Sequence, residues 1–157
     1  MSSSRKERLG IGIVGGGFVA GFHIRSFEAV RNADIRGVVS RTRDTATNAA
    51  ALVKDLGVGD AEVFESVAEM VTDSSIDAIW ICSPNFTHVE IMEEIVDTLE
   101  SGQGKLVGVC CEKPLGRNVA EARRMAELVK KVGLLDGYLE NQLFTPSVVR
   151  GKEIVWA

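Results

Sequence analysis

A glycine-rich junction at residues 9–23, LGIGIVGGGFVAGFH, constrains the fold of this chain more than any other stretch. An apolar run predicts a strand over Leu9–Val14, and the segment after the three glycines is compatible with a helix. The pattern G-x-G-x-x-G/A fits twice, but a match that starts at Gly10 would put the tight turn inside the strand. We therefore assign Gly15 to the turn, Gly17 to the close approach of a pyrophosphate, and Ala20 to the packing of helix on strand.

The same junction predicts a dinucleotide site. A helix N-terminus offers unpaired N–H groups and the positive end of its dipole to phosphates. We expect Gly15, Gly17, Phe18 and Val19 to contact the ligand. The alternative is a glycine-rich turn that binds nothing.

Length and composition fit one globular domain. The chain has 157 residues, of which 45% are apolar and 25% charged. A net charge of −4 argues against nucleic-acid binding. No apolar run reaches the roughly 18 residues of a membrane span, and residues 1–8 lack the apolar stretch of a secretory signal. We expect a flexible terminus at 1–8 and a cytoplasmic protein without membrane or nucleic-acid partners.

The three cysteines are Cys82, Cys110 and Cys111, and each lies at the end of an apolar run. Their spacing matches no zinc pattern, and an odd count suits no disulfide framework. We expect buried, reduced thiols and no metal site.

Apolar runs alternate with helical patterns along the whole chain. Further strands are predicted at 35–40, 62–64, 76–82, 106–111 and 134–139. Helical spacing is clearest at 89–99 and at 119–132, where Gly133 is expected to end the helix. Nearly continuous apolar strands indicate a parallel sheet covered on both faces. The sequence therefore predicts a doubly wound α/β domain with a mostly parallel sheet.

Ser40 and Arg41 close the second predicted strand, where an NAD site would place an acidic residue for the ribose hydroxyls. A guanidinium there can bind a 2′-phosphate, so Ser40, Arg41 and Arg43 predict NADP(H), with NAD(H) as the other possibility. The alternative is a solvated arginine at a helix start.

Polar residues also close the fourth and fifth predicted strands. Ser83, Pro84 and Asn85 are expected to line the cofactor, with His88 nearby, although helix capping alone would explain Asn85 and a lone histidine is more often a packed surface residue. Lys113, between Glu112 and Pro114, is placed to bind a substrate hydroxyl or donate a proton to it. On position alone, an exposed strand-end lysine is the alternative.

The segments GGGFVAGFH, VSR, ICSPNFTH and CCEKPL, in this order, resemble the glucose–fructose oxidoreductase/inositol dehydrogenase (Gfo/Idh/MocA) family. The resemblance implies an NAD(P)-binding Rossmann domain that transfers hydride to or from a carbohydrate-like alcohol or carbonyl. It implies that Lys113 is catalytic or orients the substrate. Other positions implied to lie at the cofactor are Ser83, Pro84, Asn85, His88, Glu112 and Asn141, with Asn141 close to the nicotinamide.

The resemblance also sets an expected domain organisation. We expect a cofactor domain at 9–145 and, at 146–157, the start of a helix leading to a second α/β substrate domain absent from this chain. The family's D-x-x-x-H pair is not found in the sequence. We therefore expect dinucleotide binding with little or no turnover, and a homo-oligomeric parent acting on a sugar-like substrate. The alternative is a stand-alone dinucleotide sensor.

Overall fold

The computed structural model describes residues 8–157. The expected flexible terminus therefore lies outside the described residues except for Arg8. The Arg8 guanidinium donates to both carboxylate oxygens of Asp34, at 2.9 and 2.8 Å. It thereby holds the pKa of Asp34 below its usual range.

The described chain forms six strands and six α-helices. The strands are β1 (Leu9–Val14), β2 (Ala33–Val39), β3 (Gly59–Val63), β4 (Ala78–Ile81), β5 (Gly108–Glu112) and β6 (Leu135–Leu139). The helices are α1 (Phe18–Ser26), α2 (Arg43–Asp55), α3 (Val67–Thr72), α4 (His88–Glu100), α5 (Val119–Val132) and α6 (Pro146–Val155). Short 3-10 turns lie at Phe27–Ala29, Asn85–Thr87 and Asn141–Phe144.

All six strands are parallel and lie in the order β3-β2-β1-β4-β5-β6. The predicted doubly wound α/β fold is thus confirmed. The strand order reverses between β1 and β4, and ligands of such sheets bind at that point, outside the carboxyl ends of the strands.

The sheet carries a separate apolar cluster on each face. One cluster contains Met70 of α3, Ile95 of α4 and Leu128 of α5. The other contains Ile24 of α1 and Val53 of α2. Burial on both faces explains the continuous apolar strands of the sequence.

Both predicted helix ends near the C-terminus are confirmed. Gly133 ends α5 in the left-handed region, with φ of 68°. Pro146 occupies the first turn of α6, and no residue of α6 is buried. None of the helices within residues 8–157 has both the length and the apolar character that a membrane crossing needs.

Candidate functional site

A cleft of about 830 Å³ opens at the carboxyl ends of the strands, beside the switch point between β1 and β4. Its walls come from the turn after each of the first five strands. The lining includes residues 15–19, Ser40, Arg41, Thr45, Glu65, residues 83–87 and residues 112–114. Most of the site residues predicted from the sequence therefore meet in one place, and Arg43, His88 and Asn141 do not line it.

The glycine turn adopts the predicted frame. Gly15 has φ of 111°, and a Cβ there would lie 2.9 Å from the backbone of Cys82. A Cβ on Gly17 would meet no atom within 4 Å, so this position faces open space. Ala20 is fully buried in α1. Gly15 thus permits the turn, and Gly17 leaves room for a ligand.

The other match to the glycine pattern, which starts at Gly10, is explained by packing. A Cβ on Gly10 would lie 1.7 Å from the Ser75 carbonyl oxygen, and one on Gly12 would lie 2.7 Å from the Met70 sulfur. Both glycines therefore let neighbouring segments pack closely against β1 and have no place in the cleft.

The N-terminus of α1 presents free backbone donors to the cleft. The N–H groups of residues 17–20 donate to no acceptor within residues 8–157. No acidic side chain lies in the first turn of α1. Unpaired N–H groups and the helix dipole together favour an anionic ligand at this point.

The end of β2 presents a hydroxyl and a guanidinium. Ser40 Oγ accepts the Gly16 N–H at 3.2 Å and lies 2.8 Å from Thr45 Oγ1, so this hydroxyl also supports the glycine turn. Arg41 is exposed on the cleft wall and has no ion pair within the described residues. Arg43 instead pairs with Glu65 and does not line the cleft, so its expected cofactor contact stays a prediction.

The turn after β4 differs in one respect from the prediction. Asn85 begins a 3-10 turn, and Thr87 is the residue before α4, so Asn85 does not cap that helix. The Asn85 side chain has no hydrogen-bond partner within residues 8–157, and it lines the cleft. Ser83 Oγ lies 2.8 Å from Thr87 Oγ1, which closes the turn.

His88 is fully buried below the cleft. Its Nε2 lies 3.0 Å from the Ser83 carbonyl oxygen, and its Nδ1 lies 3.3 Å from Cys111 Sγ. Burial, with a smaller contribution from the Glu112 charge, raises the pKa of the Cys111 thiol to about 12. The thiol therefore keeps its proton, while Nε2–H donates to the Ser83 carbonyl and Nδ1 also lies 3.3 Å from the Leu115 carbonyl oxygen. His88 is thus neither a surface residue nor a cleft residue, and both expectations are corrected.

Glu112 is the last residue of β5 and Lys113 follows it, and the two have distinct roles. Glu112 Oε1 lies 2.7 Å from His23 Nε2, and Glu112 Oε2 accepts the Lys113 N–H at 2.9 Å. The Glu112 carboxylate is therefore occupied by protein donors. Lys113 is exposed at the cleft, its Nζ has no partner within residues 8–157, and its peptide bond to Pro114 is cis.

Residues 9–137 match the family described as "Oxidoreductase family, NAD-binding Rossmann fold", Gfo/Idh/MocA. The chain belongs to this family. Among curated Gfo/Idh/MocA relatives, glucose-6-phosphate 3-dehydrogenase of Bacillus subtilis is 30% identical over 79% of this chain and 31% of its own length. Myo-inositol 2-dehydrogenase of Thermotoga maritima is 28% identical over 92% of this chain and 40% of its own length.

Solved structures give the same result. GenD2 from gentamicin A biosynthesis, in complex with NAD, has a TM-score of 0.77 and 28% identity over 98% of this chain and 40% of its own. A probable dehydrogenase from Thermotoga maritima has a TM-score of 0.76 and 26% identity over 94% of this chain and 41% of its own. The chain thus spans about a third to two fifths of the relatives it matches.

Asn141 lies in the 3-10 turn after β6, is exposed, and does not line the cleft of this Gfo/Idh/MocA chain. The structure also shows residues that the sequence reasoning missed. Glu65 follows β3 and lines the cleft, and its position at a strand end was the available signal. His23 binds Glu112 from 89 positions away, and nothing in the local sequence pairs them.

The thiols form no site. Cys82 and Cys111 are buried as expected, Cys110 is half-buried, and all three are free. No cluster of His, Cys, Asp and Glu within residues 8–157 could hold a metal ion.

Proposed function

We propose that the cleft binds a nicotinamide dinucleotide, with its pyrophosphate against the glycine turn and the N-terminus of α1. The observation that carries this proposal is the pairing of open space at Gly17 with free N–H groups at residues 17–20. The cleft, at about 830 Å³, also lies within the usual range of about 300–1,000 Å³ for small-molecule sites. The NAD complex of GenD2 supports the same ligand class.

NADP(H) is the form that we propose as preferred. Arg41 stands at the end of β2 with a guanidinium that has no ion pair within residues 8–157. A guanidinium can hold a 2′-phosphate by two parallel hydrogen bonds and can stack on adenine. Arg43 is paired with Glu65, so we assign the phosphate to Arg41 alone.

Dehydrogenation of a carbohydrate-like alcohol, or its reversal, is the proposed reaction. The activities named for the Bacillus subtilis and Thermotoga maritima relatives support this substrate class. The bound nicotinamide would accept or supply the hydride. Lys113 is proposed to hydrogen-bond the reacting oxygen, because its side chain lies at the cleft without a partner within residues 8–157. Its ammonium would give a proton to the oxygen when a carbonyl is reduced, and its neutral amine would take the hydroxyl proton when an alcohol is oxidised.

For the 157-residue chain by itself, we propose dinucleotide binding with little turnover. Lys113 is exposed, and one lysine neither orients a sugar nor excludes water. A sugar-like substrate and a homo-oligomeric state belong to the same proposal. Free cysteines are typical of reducing compartments, which supports a cytoplasmic location.

A substitution at Gly17 tests the proposed function. Gly17 has φ of −81°, which other residues adopt, so Gly17→Val should fold while its side chain fills the space meant for the pyrophosphate. Gly151→Ala is the matched control, because a Cβ at Gly151 of α6 also meets nothing within 4 Å. Calorimetry with NADP+ should show binding by the unaltered chain and the control, and its loss in Gly17→Val. Unchanged NADP+ affinity in Gly17→Val would reject the proposed site.

A further inference from the structure

His23 and Glu112 form a shielded hydrogen bond that the proposed dinucleotide contacts do not use. Their side chains are only 14% and 12% exposed, and His23 Nε2 lies 2.7 Å from Glu112 Oε1. The pair joins α1, which begins at the glycine turn, to the end of β5, which precedes Lys113. A hydrogen bond to a carboxylate is stronger where solvent is largely excluded, so this contact is a firmer link than one on the open surface.

Aromatic contacts fix the orientation of the His23 ring. The ring meets Trp80 of β4 edge to face, with a centroid distance of 5.3 Å and an interplanar angle of 83°. Trp80 in turn packs against Phe27 at 5.0 Å. Because the imidazole is held against this pair, its Nε2 stays directed at Glu112.

Glu112 links His23 to the backbone of Lys113. One carboxylate oxygen takes the His23 contact, and the other accepts the Lys113 backbone N–H at 2.9 Å. The Lys113 side chain has no anchor of its own within residues 8–157. The place of its ammonium in the cleft therefore depends on how firmly the backbone is held.

We infer that His23 is a positioning residue that, through Glu112, fixes the backbone of Lys113 relative to the glycine turn. This contact sets the spacing between the pyrophosphate end and the lysine end of the cleft. A ligand that spans both ends depends on that spacing, whereas one that occupies only the adenosine end does not. The effect on ligand binding rests on the proposed function, but the effect on the Lys113 backbone does not.

Affinities for two ligands distinguish this positioning role of His23 from a general loss of structure. NADPH spans the cleft, and adenosine 2′,5′-bisphosphate contains only the adenosine end. His23→Ala should weaken NADPH binding about tenfold, as expected for loss of a hydrogen bond to a charged group, and leave the bisphosphate affinity unchanged. His23→Gln, which retains an N–H donor, should recover part of the loss. Arg25→Ala, an exposed change on the same helix, is the control. Equal weakening of both ligands, or unchanged NADPH affinity, overturns the inference.

Hydrogen exchange of the free protein tests the same inference without a ligand. The Lys113 amide should exchange about tenfold faster in His23→Ala, because Glu112 is then free to turn away. The Cys111 amide, inside the β5 ladder, should keep its rate. An unchanged Lys113 rate overturns the inference whether or not a dinucleotide binds. Failure of the unaltered chain to bind either ligand would instead reject the proposed function.

Discussion

Cys111 Sγ lies 3.3 Å from His88 Nδ1. The next residue of the strand, Glu112, is bound by His23 of α1. The two histidines of the chain therefore contact consecutive residues of β5, Cys111 and Glu112. Lys113 follows at once. The end of this strand is restrained from two helices, α1 and α4, before the chain enters the cleft.

Loss of the His88 side chain should destabilise the fold. His88→Ala removes the donor to the Ser83 carbonyl and leaves a cavity, which should lower the free energy of unfolding by about 2–4 kcal/mol. Thr98→Val is the control on the same helix, since Thr98 is buried and its hydroxyl donates to the Glu94 carbonyl of α4. Denaturant unfolding measures both. A cost for His88→Ala no larger than for Thr98→Val would contradict the assigned hydrogen bonds.

Arg41 should set the cofactor preference. Arg41→Ala should lower NADP+ affinity about ten- to a hundredfold and change NAD+ affinity little, because only NADP+ carries the 2′-phosphate. Arg43→Ala, which removes a guanidinium already paired with Glu65, should lower the NADP+/NAD+ affinity ratio less. Calorimetric titration with both cofactors gives the ratio. Equal losses for NADP+ and NAD+ in Arg41→Ala would rule out the phosphate assignment.

Gly10 should tolerate no side chain although it lies outside the cleft. Gly10→Ala would place its Cβ 1.7 Å from the Ser75 carbonyl oxygen, so we expect a loss of about 3 kcal/mol or more in the free energy of unfolding. Gly21→Ala is the matched comparison, because Gly21 lies within α1 and its Cβ would meet only the Leu52 side chain of α2, at 4.0 Å. It should be neutral or stabilise by up to about 1 kcal/mol. Thermal unfolding of both variants checks the difference, and similar melting temperatures would refute it.

The three thiols should differ in reactivity. Burial raises the pKa of Cys82 and of Cys111 to about 12, and Cys110 is less buried. At about pH 8, iodoacetamide should therefore modify Cys110 first, because the thiolate is the reacting form and access is needed. Mass spectrometry of the folded chain gives the order in which the three cysteines are modified. In the chain unfolded in guanidinium, the three should react at similar rates. Fast modification of Cys82 in the folded chain would contradict its burial.

The same thiols should make the fold sensitive to alkali. A pKa raised from 9.0 to about 12 means that the folded state holds these protons more tightly than the unfolded state. The contribution to stability is therefore complete below about pH 9 and is lost as pH rises towards 12. The free energy of unfolding should fall across this interval, and less steeply in Cys82→Ala. If the free energy of unfolding falls equally steeply with pH in the unaltered chain and in Cys82→Ala, the prediction is wrong.

The sheet and the glycine frame were accessible from sequence because both are local patterns. The six residues of β1 match the predicted strand, whereas β3 begins three residues before its predicted start because only Ala61 in it is buried. Strand-end residues such as Arg41 and Lys113 were found because parallel strands bring their carboxyl ends to one edge. The His23–Glu112 contact and the burial of His88 depend on tertiary packing between distant segments. Such packing leaves no periodic pattern in a single sequence.

The two apolar clusters end below the cleft, and Ser40, Arg41 and Lys113 belong to neither. Substitutions at Arg41 or Lys113 should therefore change a proposed ligand contact without repacking either side of the sheet, whereas Ser40 also accepts the Gly16 N–H. The proposed cofactor preference and the proposed proton chemistry therefore depend on separate strand ends, and either could change in evolution with little cost to folding. The ligand preference of such a fold should be open to redesign by single substitutions, provided that Gly15, Gly17 and the histidine contacts on β5 are kept.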